Sequence, residues 1–294
     1  MVAEFRNPEA IVSCEWLADH LDTPGLRIFD CTTYLEFQTD GDRPYLVKGA
    51  AEEHAAGHIP GAAYLDLQGD FSLQDSPWGM TLEAPENVAD AFARAGVDQS
   101  SRVILYSRTS PAWATRFWWM LRWIGFDNAA ILDGGFTRWS ALGNPVATTS
   151  DPYPPGKLIP HPRPGLFVGK AEVLAALDKP ETCLVNALGR DAFSGENPRY
   201  GRPGHIPGSV NIPKAELVDP KTQMFLPIET IAAIIADTGA DKAAHLIAYC
   251  GGGIFATTDA FMLYQLGHDF VSVYDNSLGE WGPDESLPIA TAIP

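Results

Sequence analysis

Cysteine is scarce in this sequence, and its cysteines do not form a paired motif. The four are Cys14, Cys31, Cys183 and Cys250, and no C-x-x-C spacing occurs. This pattern argues against a structural zinc site, and a disulfide framework does not suit a chain of this size. We therefore expect a protein without a metal site, whose thiols stay reduced.

Basic residues are also few. The chain has 20 Lys and Arg against 37 Asp and Glu, which gives a formal net charge of −17. Such a surface repels polyanions, so neither nucleic acid nor an anionic membrane is expected as a partner. A small anionic substrate stays possible, because a local site can be positive inside a negative protein.

Long apolar runs and a leader pattern are missing as well. No uninterrupted apolar stretch reaches the roughly 18 residues that predict a membrane span. The segment Met1–Pro8 has no basic stretch followed by an apolar core, so it does not resemble a signal peptide. These two absences predict a cytoplasmic protein.

What the chain does have is enough apolar material for packed cores and a repeat of itself. Hydrophobic residues make up 46% of 294 residues, and domains of about 150 residues are usual. Three motifs recur in the same order, which predicts two homologous domains. The matched pairs are Gly57–Gly61 with Gly204–Gly208, Arg102–Ser107 with His245–Cys250, and Ile131–Trp139 with Val273–Trp281.

Each half alternates short apolar runs with longer amphipathic ones. This alternation predicts an α/β fold in which a mostly parallel sheet has helices on both faces. We place the domains at residues 1–144 and 165–294. Residues 145–164, rich in proline and small polar residues, are predicted to be the linker between them.

The stretch from His245 to Ile254 is the strongest candidate for chemistry. An apolar run ends at Cys250, three glycines follow, and a helix-like segment runs from Phe255 to Leu266. A thiol placed there faces backbone N–H groups and the positive end of a helix dipole, which favour the thiolate. The alternative is a buried structural cysteine beside a flexible turn. In the first half, Ser107 occupies the corresponding position.

These residues resemble the tandem-domain rhodaneses, the group that contains thiosulfate sulfurtransferase and 3-mercaptopyruvate sulfurtransferase. The resemblance rests on the two Gly-His-Ile-Pro-Gly copies, the Tyr249-Cys250 strand end, the glycine loop and the closing Tyr-Asp…Trp segment. It implies two rhodanese-like domains. The first half would be catalytically inactive, with Ser107 in place of the cysteine, and the second half would be catalytic.

The resemblance also implies a ping-pong mechanism that needs no cofactor. The thiolate of Cys250 would take sulfur from thiosulfate or 3-mercaptopyruvate, hold it as a persulfide, and pass it to cyanide or a thiol. Backbone amides of the following loop would stabilise the negative charge. The loop residues are Gly251, Gly252, Gly253, Ile254 and Phe255. The expected partners are these small molecules, and the expected state is a monomer or weak oligomer.

The sulfur donor stays open, because the loop departs from both family patterns. Thiosulfate enzymes typically have two cations after the cysteine, and mercaptopyruvate enzymes have Gly-Ser-Gly or Gly-Thr-Gly. This chain has neither, and Gly79 stands where a histidine is expected before Met80. An anionic donor still requires a cation. Arg190 is the preferred candidate, since it lies just past the end of a predicted strand.

Two rival functions follow from the same residues. Phosphatases of this fold use Cys-x5-Arg, but position 256 is Ala256, so nothing closes the loop around a phosphate. The second rival is a non-catalytic sulfur-carrier or binding module. The triglycine loop, with neither cation nor hydroxyl, keeps that alternative open.

Overall fold

The computed structural model describes residues 3–38, 44–149 and 152–291. Its first half holds seven strands and six helices. The strands are β1 (Ile11–Val12), β2 (Leu26–Asp30), β3 (Thr33–Phe37), β4 (Tyr45–Gly49), β5 (Ala62–Tyr64), β6 (Arg102–Tyr106) and β7 (Ala129–Leu132). The helices are α1 (Cys14–His20), α2 (Ala51–Ala56), α3 (Leu67–Asp70), α4 (Pro85–Arg94), α5 (Pro111–Trp123) and α6 (Gly135–Ala141).

The second half has a similar succession of elements. Its strands are β8 (Phe167–Val168), β9 (Thr182–Asn186), β10 (Val210–Asn211), β11 (His245–Tyr249) and β12 (Val271–Tyr274). Its helices are α7 (Lys170–Ala176), α8 (Arg190–Ser194), α9 (Ile228–Thr238), α10 (Ala256–Gln265) and α11 (Ser277–Trp281). Short 3-10 helices cover Pro8–Ala10, Lys214–Leu217 and Ala240–Lys242.

The internal repeat extends to the topology of the two sheets. Strands of the first sheet lie in the order β1-β7-β6-β2-β5, and those of the second in the order β8-β12-β11-β9-β10. Every pairing within these sheets is parallel. The strands β6 and β11, which the sequence aligned, hold the central position of their sheets. The predicted α/β architecture of two related domains is confirmed.

Central strands are apolar because both of their faces are covered. In β11 the four residues Leu246, Ile247, Ala248 and Tyr249 are buried. A strand covered on both faces has no polar side to present, so its sequence reads as a continuous apolar run. Parallel strands place their carboxyl ends at one edge of the sheet, where ligands of such folds bind. The residue after Tyr249 is Cys250.

The two halves meet along a pair of buried helices. All but two residues of α5 are buried, as expected of a helix that is apolar on every side. It packs against α10 of the second half, and Trp118 lies edge-on to Phe261 with ring centroids 4.7 Å apart. Thr115 and Thr257 share a hydrogen bond of 2.8 Å within the same contact. Helix α5 therefore forms part of the core and part of the contact between the two halves.

The predicted linker runs along the first half. His58 pairs with Ala147, and the Tyr153 ring packs edge-on against Phe29. Further along, the amide of His161 donates to the carbonyl of Ile124 over 2.8 Å. The division at residues 144 and 165 stays a prediction.

The antiparallel hairpin of β3 and β4 reaches from the first half towards the second. At the start of β4, Tyr45 is 5% exposed and lies beside Tyr200, with ring centroids 6.4 Å apart in an edge-on arrangement. The hairpin thus brings a side chain of the first half to the carboxyl edge of the second sheet.

Candidate active site

Cys250 lies at the carboxyl end of β11 and is 2% exposed. Its backbone N–H donates to the Ser277 hydroxyl over 3.0 Å, and its carbonyl accepts from Leu278 N–H over 3.1 Å. The carbonyl of Gly251 accepts from Gly279 N–H over 2.7 Å. Helix α11 therefore holds the start of the loop in place, and Cys250 keeps a defined position at the edge of the sheet.

The three glycines after Cys250 are each required by close contacts. A β-carbon on Gly251 would overlap the Tyr200 ring, and one on Gly252 would overlap the Tyr45 hydroxyl. Gly253 has φ of +74°, and a β-carbon there would overlap the carbonyl of Asp275. The positive φ alone favours glycine at this position. The unusual triglycine is thus complementary to two tyrosines and one backbone carbonyl.

Tyr45 and Tyr200 were not identified by the sequence interpretation. Both are buried, and they reach the loop from different halves of the chain. Burial raises the pKa of the Tyr200 phenol, and electrostatic interaction with Cys250 and Tyr45 adds to this effect. Tyr200 therefore stays a neutral hydroxyl beside the loop. No local pattern could have assigned Tyr45, since its neighbours in the site, Tyr200 and Gly252, lie more than 150 residues later in the sequence.

Lys214 and Asp259 form a second group that the sequence interpretation missed. The Lys214 ammonium donates to Ser110 Oγ over 2.9 Å and lies 4.7 Å from the centre of the Phe255 ring. Burial lowers the pKa of Lys214, and electrostatic interaction with Asp259 and Cys250 opposes that change. Asp259 is the only charged residue of α10. A lone acid in an apolar helix was the signal that could have indicated this group.

Arg190, the preferred anion-binding candidate, lies at the start of α8 and is engaged by an acid. Its Nε and Nη2 donate to the two carboxylate oxygens of Glu216 over 2.8 and 2.6 Å. Its side chain is 68% exposed, and the bond to Glu216 raises the pKa of Arg190. An anion would compete with Glu216 for this guanidinium. The anion-binding role of Arg190 stays a prediction.

Arg116 supports the loop from the side of the first half. This buried side chain donates to Asp275 over 2.6 Å, to the carbonyl of Gly253 over 3.3 Å and to that of Met80 over 3.0 Å. The Asp275 carboxylate also accepts from the backbone N–H of Leu82 over 2.7 Å. Arg116 therefore ties the cysteine loop to the first half and has its charge matched by Asp275.

Ser107 occupies the position in the first half that Cys250 occupies in the second. Its hydroxyl is buried and accepts from the backbone N–H groups of Thr109 and Ser110 over 3.3 and 3.5 Å. Within the described part of the chain, no side-chain base is hydrogen-bonded to it. A serine nucleophile needs such a base, so the arrangement favours the predicted structural role of Ser107.

The histidines of the repeated motif hold turns in both halves. His58 Nδ1 is bonded to the carbonyl of His54 over 2.7 Å, and His205 Nδ1 to that of Phe193 over 2.8 Å. The backbones of the two histidines also pair with Ala147 and Ala290, respectively. This equivalence agrees with a structural role for both.

The other three cysteines are poor nucleophiles. Burial raises the pKa of Cys14 to about 12 and that of Cys183 to about 11, and it raises the pKa of Cys31 well above its ordinary value. Thiols of this kind stay protonated and inert. Within the described ranges, no cluster of His, Cys, Asp and Glu could hold a metal ion. Among the helices of those ranges, none is long and apolar enough to cross a membrane.

Comparison with known proteins agrees with this geometry. The model of the rhodanese-like domain matches residues 13–142 and again residues 170–284. The chain belongs to the rhodanese family. The two matched regions are the two sheet-containing halves described above, so the resemblance inferred from the motifs is confirmed.

Several relatives are similar over nearly the whole chain. The 3-mercaptopyruvate sulfurtransferase of Escherichia coli K12 is 31% identical, covering 95% of this chain and 96% of the relative. That of Rattus norvegicus is 32% identical, covering 92% and 91%. The sulfur carrier protein TtuD of Thermus thermophilus is 29% identical, covering 97% and 98%.

Solved structures show the same fold. The 3-mercaptopyruvate sulfurtransferase SseA of Escherichia coli has a TM-score of 0.77 at 30% identity, covering 90% of this chain and 97% of its own. EanB in complex with ergothioneine has a TM-score of 0.81 at 21% identity, covering 97% and 71%. At that identity, the likeness to EanB concerns the fold alone.

Proposed function

We propose that this rhodanese-family protein is a sulfurtransferase that moves a sulfane sulfur from 3-mercaptopyruvate or thiosulfate to a thiol or cyanide. The observation that carries the proposal is the position of Cys250, at the carboxyl end of a central strand and at the start of a glycine loop that leads into α10. Relatives named for 3-mercaptopyruvate span nearly the whole chain, which favours that donor.

The reaction divides into two displacements on one sulfur atom. In the first, the Cys250 thiolate attacks the outer sulfur of the donor. The bond from that sulfur to the rest of the donor breaks, and its electron pair leaves with pyruvate enolate or with sulfite. The persulfide that forms on Cys250 is negatively charged. Backbone N–H groups of residues 251–255 stabilise it without reorganising, because the loop is already held by its neighbours.

In the second displacement, an acceptor thiolate or cyanide attacks the outer sulfur of the persulfide. The sulfur–sulfur bond breaks and returns the electron pair to Cys250, so the thiolate is restored. Donor and acceptor react with the same atom in turn, which predicts ping-pong kinetics. Neither step requires a cofactor. The first half, with Ser107, would cover the site without reacting.

Intact-mass spectrometry tests this proposal directly. The protein is incubated separately with 3-mercaptopyruvate and with thiosulfate, and Cys250→Ser serves as the matched control. We expect the wild-type protein to gain one sulfur atom from at least one donor, and the variant to gain none. Absence of sulfur loading from both donors would contradict the proposal, and loading from only one would identify the donor.

A second candidate is a sulfur carrier that receives its sulfur from another protein and does not turn over small donors. The likeness to the Thermus sulfur carrier protein favours it, as does the absence of a cation or hydroxyl within Gly251–Gly253. Such a protein would form a Cys250 persulfide from a persulfidated partner, but would not release thiocyanate steadily from cyanide and either small donor. Multiple turnovers in that assay would exclude the carrier as the main role.

The remaining expectations belong to the same proposal. A sulfurtransferase of this kind acts on small molecules and needs neither nucleic acid nor a membrane. We expect a monomer or weak oligomer in the cytoplasm. Arg190 is the cation proposed from the sequence, and the structure offers an alternative cation nearer to the loop.

A further inference from the structure

Lys214 lies beside the loop that begins at Cys250. It lies three residues after the end of β10, and its backbone N–H donates to the carbonyl of Ala187 over 3.1 Å. This bond holds Lys214 at the carboxyl edge of the sheet, the edge at which the Cys250 loop begins. Its ammonium then reaches over the Phe255 ring, 4.7 Å from the ring centre, to Ser110 Oγ at 2.9 Å.

Lys214 and part of the neighbouring loop are exposed to solvent, whereas Cys250 is buried. Within residues 251–255 of the loop, Gly252 and Phe255 are partly exposed, and so is Lys214. Cys250 itself is 2% exposed. These three residues are therefore partly accessible to a small molecule beside the loop that begins at Cys250. Lys214 is the cation among them.

The protonation state of Asp259 determines whether the positive charge of Lys214 is available to bind an anion. Asp259 lies one helical turn after Phe255, so both side chains share a face of α10. It is 1% exposed, and neither carboxylate oxygen has a hydrogen-bond partner within the described part of the chain. Burial raises the pKa of Asp259 well above its usual range, although Lys214 opposes this.

A buried carboxyl group without hydrogen-bond donors is more stable as the neutral acid. A neutral Asp259 leaves the positive charge of Lys214 uncompensated. The two arginines described above do not have an uncompensated charge, because Arg190 is paired with Glu216 and Arg116 with Asp275. The charged and titratable groups that act on Lys214 are Asp259 on α10 and Cys250 in the loop, while Ser110, the N-cap residue of α5, is uncharged.

We propose that Lys214 binds the anionic end of the sulfur donor, a carboxylate or an oxyanion, and that the buried Asp259 stays neutral and so does not compensate this cation. The identity of the donor rests on the proposed function, but the anion site does not. The same ammonium would also stabilise the anionic persulfide on Cys250.

Alkylation of Cys250 tests the anion site independently of sulfur transfer. Iodoacetate and iodoacetamide both form a carbon–sulfur bond at the thiolate and expel iodide, but only iodoacetate is anionic. The measured quantity is the ratio of their rates at Cys250, followed by mass spectrometry of the peptide that contains it. We expect Lys214→Met to lower this ratio about fivefold or more at low salt, as the loss of one nearby charge at a partly exposed site predicts.

Three further variants make the test specific. Lys214→Arg retains the charge and should keep the ratio within about twofold of wild type, since charge is what the ratio reports. Asp259→Asn imitates the neutral acid and should also keep it. Lys221→Met removes an exposed lysine outside the site and is the matched control. Circular dichroism establishes that each variant is folded.

An unchanged ratio in Lys214→Met would overturn the proposal, and so would a fall in Arg190→Met that Lys214→Met does not show. A rise in Asp259→Asn would overturn the neutrality given to this acid, because removing an ionised carboxylate would favour the anionic reagent. In sulfur transfer, Lys214→Met should raise the KM for the donor more than it lowers kcat. If wild-type protein loads sulfur from neither donor, the proposed function fails while the alkylation ratio still decides the anion site.

Discussion

At the scale of single residues, the proposed chemistry depends on one thiol and on what surrounds it. Cys250 is buried at a sheet edge, where α11 holds its backbone and glycines adjoin it. The other cysteines have raised pKa values because they are buried. The local environment of Cys250 therefore differs from that of the other three thiols, which supports the proposal that Cys250 is the reactive one.

Replacement of Cys250 by serine should abolish sulfur transfer and leave the fold intact. Serine is close to cysteine in size, but its hydroxyl is a far weaker nucleophile without an adjacent base. We expect no detectable thiocyanate formation from cyanide with either donor, together with an unfolding midpoint close to wild type. Residual activity in Cys250→Ser, with the loss of activity found in Cys183→Ser instead, would show that another thiol carries the sulfur.

The Gly252→Ser substitution should impair this protein, although the resemblance leads one to expect a hydroxyl there. The added β-carbon would overlap the Tyr45 hydroxyl, so either Tyr45 or the loop must move. We expect a destabilisation of about 1–3 kcal/mol, typical of overpacking, measured by chemical denaturation. In a Tyr45→Ala background the same substitution should be tolerated better. An equal loss in both backgrounds would show that Tyr45 is not the obstacle.

At the scale of elements, the cysteine loop depends on contacts that come from both halves. Helix α5 packs on α10, and its Arg116 reaches the loop carbonyl of Gly253. The hairpin of β3 and β4 contributes Tyr45, whose hydroxyl lies against Gly252 of the loop. The first half, which has Ser107 at the position that corresponds to Cys250, therefore contributes to the candidate site, because its elements define the space around the loop.

Arg116→Met should destabilise the protein strongly. The substitution removes one partner of a buried ion pair. The Asp275 carboxylate then retains its hydrogen bond from the backbone N–H of Leu82. Loss of one partner of a buried pair typically costs about 3–5 kcal/mol. The exposed pair of Lys48 and Glu36 offers a control, and Lys48→Met should cost no more than about 1 kcal/mol. Similar free energies of unfolding for the two variants would contradict this interpretation of Arg116.

At the scale of the whole molecule, the two halves are joined by polar contacts as well as by packed helices. Asp133 in the first half accepts from the backbone N–H of Phe225 in the second, over 2.9 Å. Burial raises the pKa of Asp133 to about 6. This contact makes the stability of the assembled chain depend on pH.

The sign of that dependence follows from the direction of the shift. Because the pKa of Asp133 is higher in the folded state, the folded protein binds this proton more tightly between about pH 4 and pH 6. Stability from this group is present at low pH and is lost as pH rises through that range. Asp133→Asn keeps an acceptor for Phe225 but has no charge. It should therefore be more stable than wild type at pH 7, by about 1–2 kcal/mol after allowance for partial exposure.

Unfolding of both proteins by denaturant from pH 4 to pH 7 checks this expectation. The advantage of Asp133→Asn should shrink as pH falls and vanish near pH 4. A constant difference across that range would show that the ionisation of Asp133 is not responsible.

Much of this protein could be predicted from sequence because the relevant patterns are local. A continuous apolar run such as Leu246–Tyr249 predicts a covered strand, and a glycine loop before a helix predicts how Cys250 is presented. The repeat of these patterns predicted two sheets of one topology. Helix α10 begins at Ala256 and ends at Gln265, one residue inside each end of the predicted segment.

The tertiary structure decided which distant side chains surround that thiol. Tyr45, Tyr200 and Lys214 meet at one loop although they come from separate elements, and their directions follow from packing rather than from neighbours in sequence. Arg190 shows that a position predicted from sequence does not fix the direction of a side chain. It lies just past a predicted strand, but its guanidinium is bonded to Glu216. Sequence alone determined the family and the fold and predicted Cys250 as the source of the attacking atom, because these follow from short contiguous patterns. The charges and hydroxyls around that atom depend on long-range packing, which such patterns do not encode.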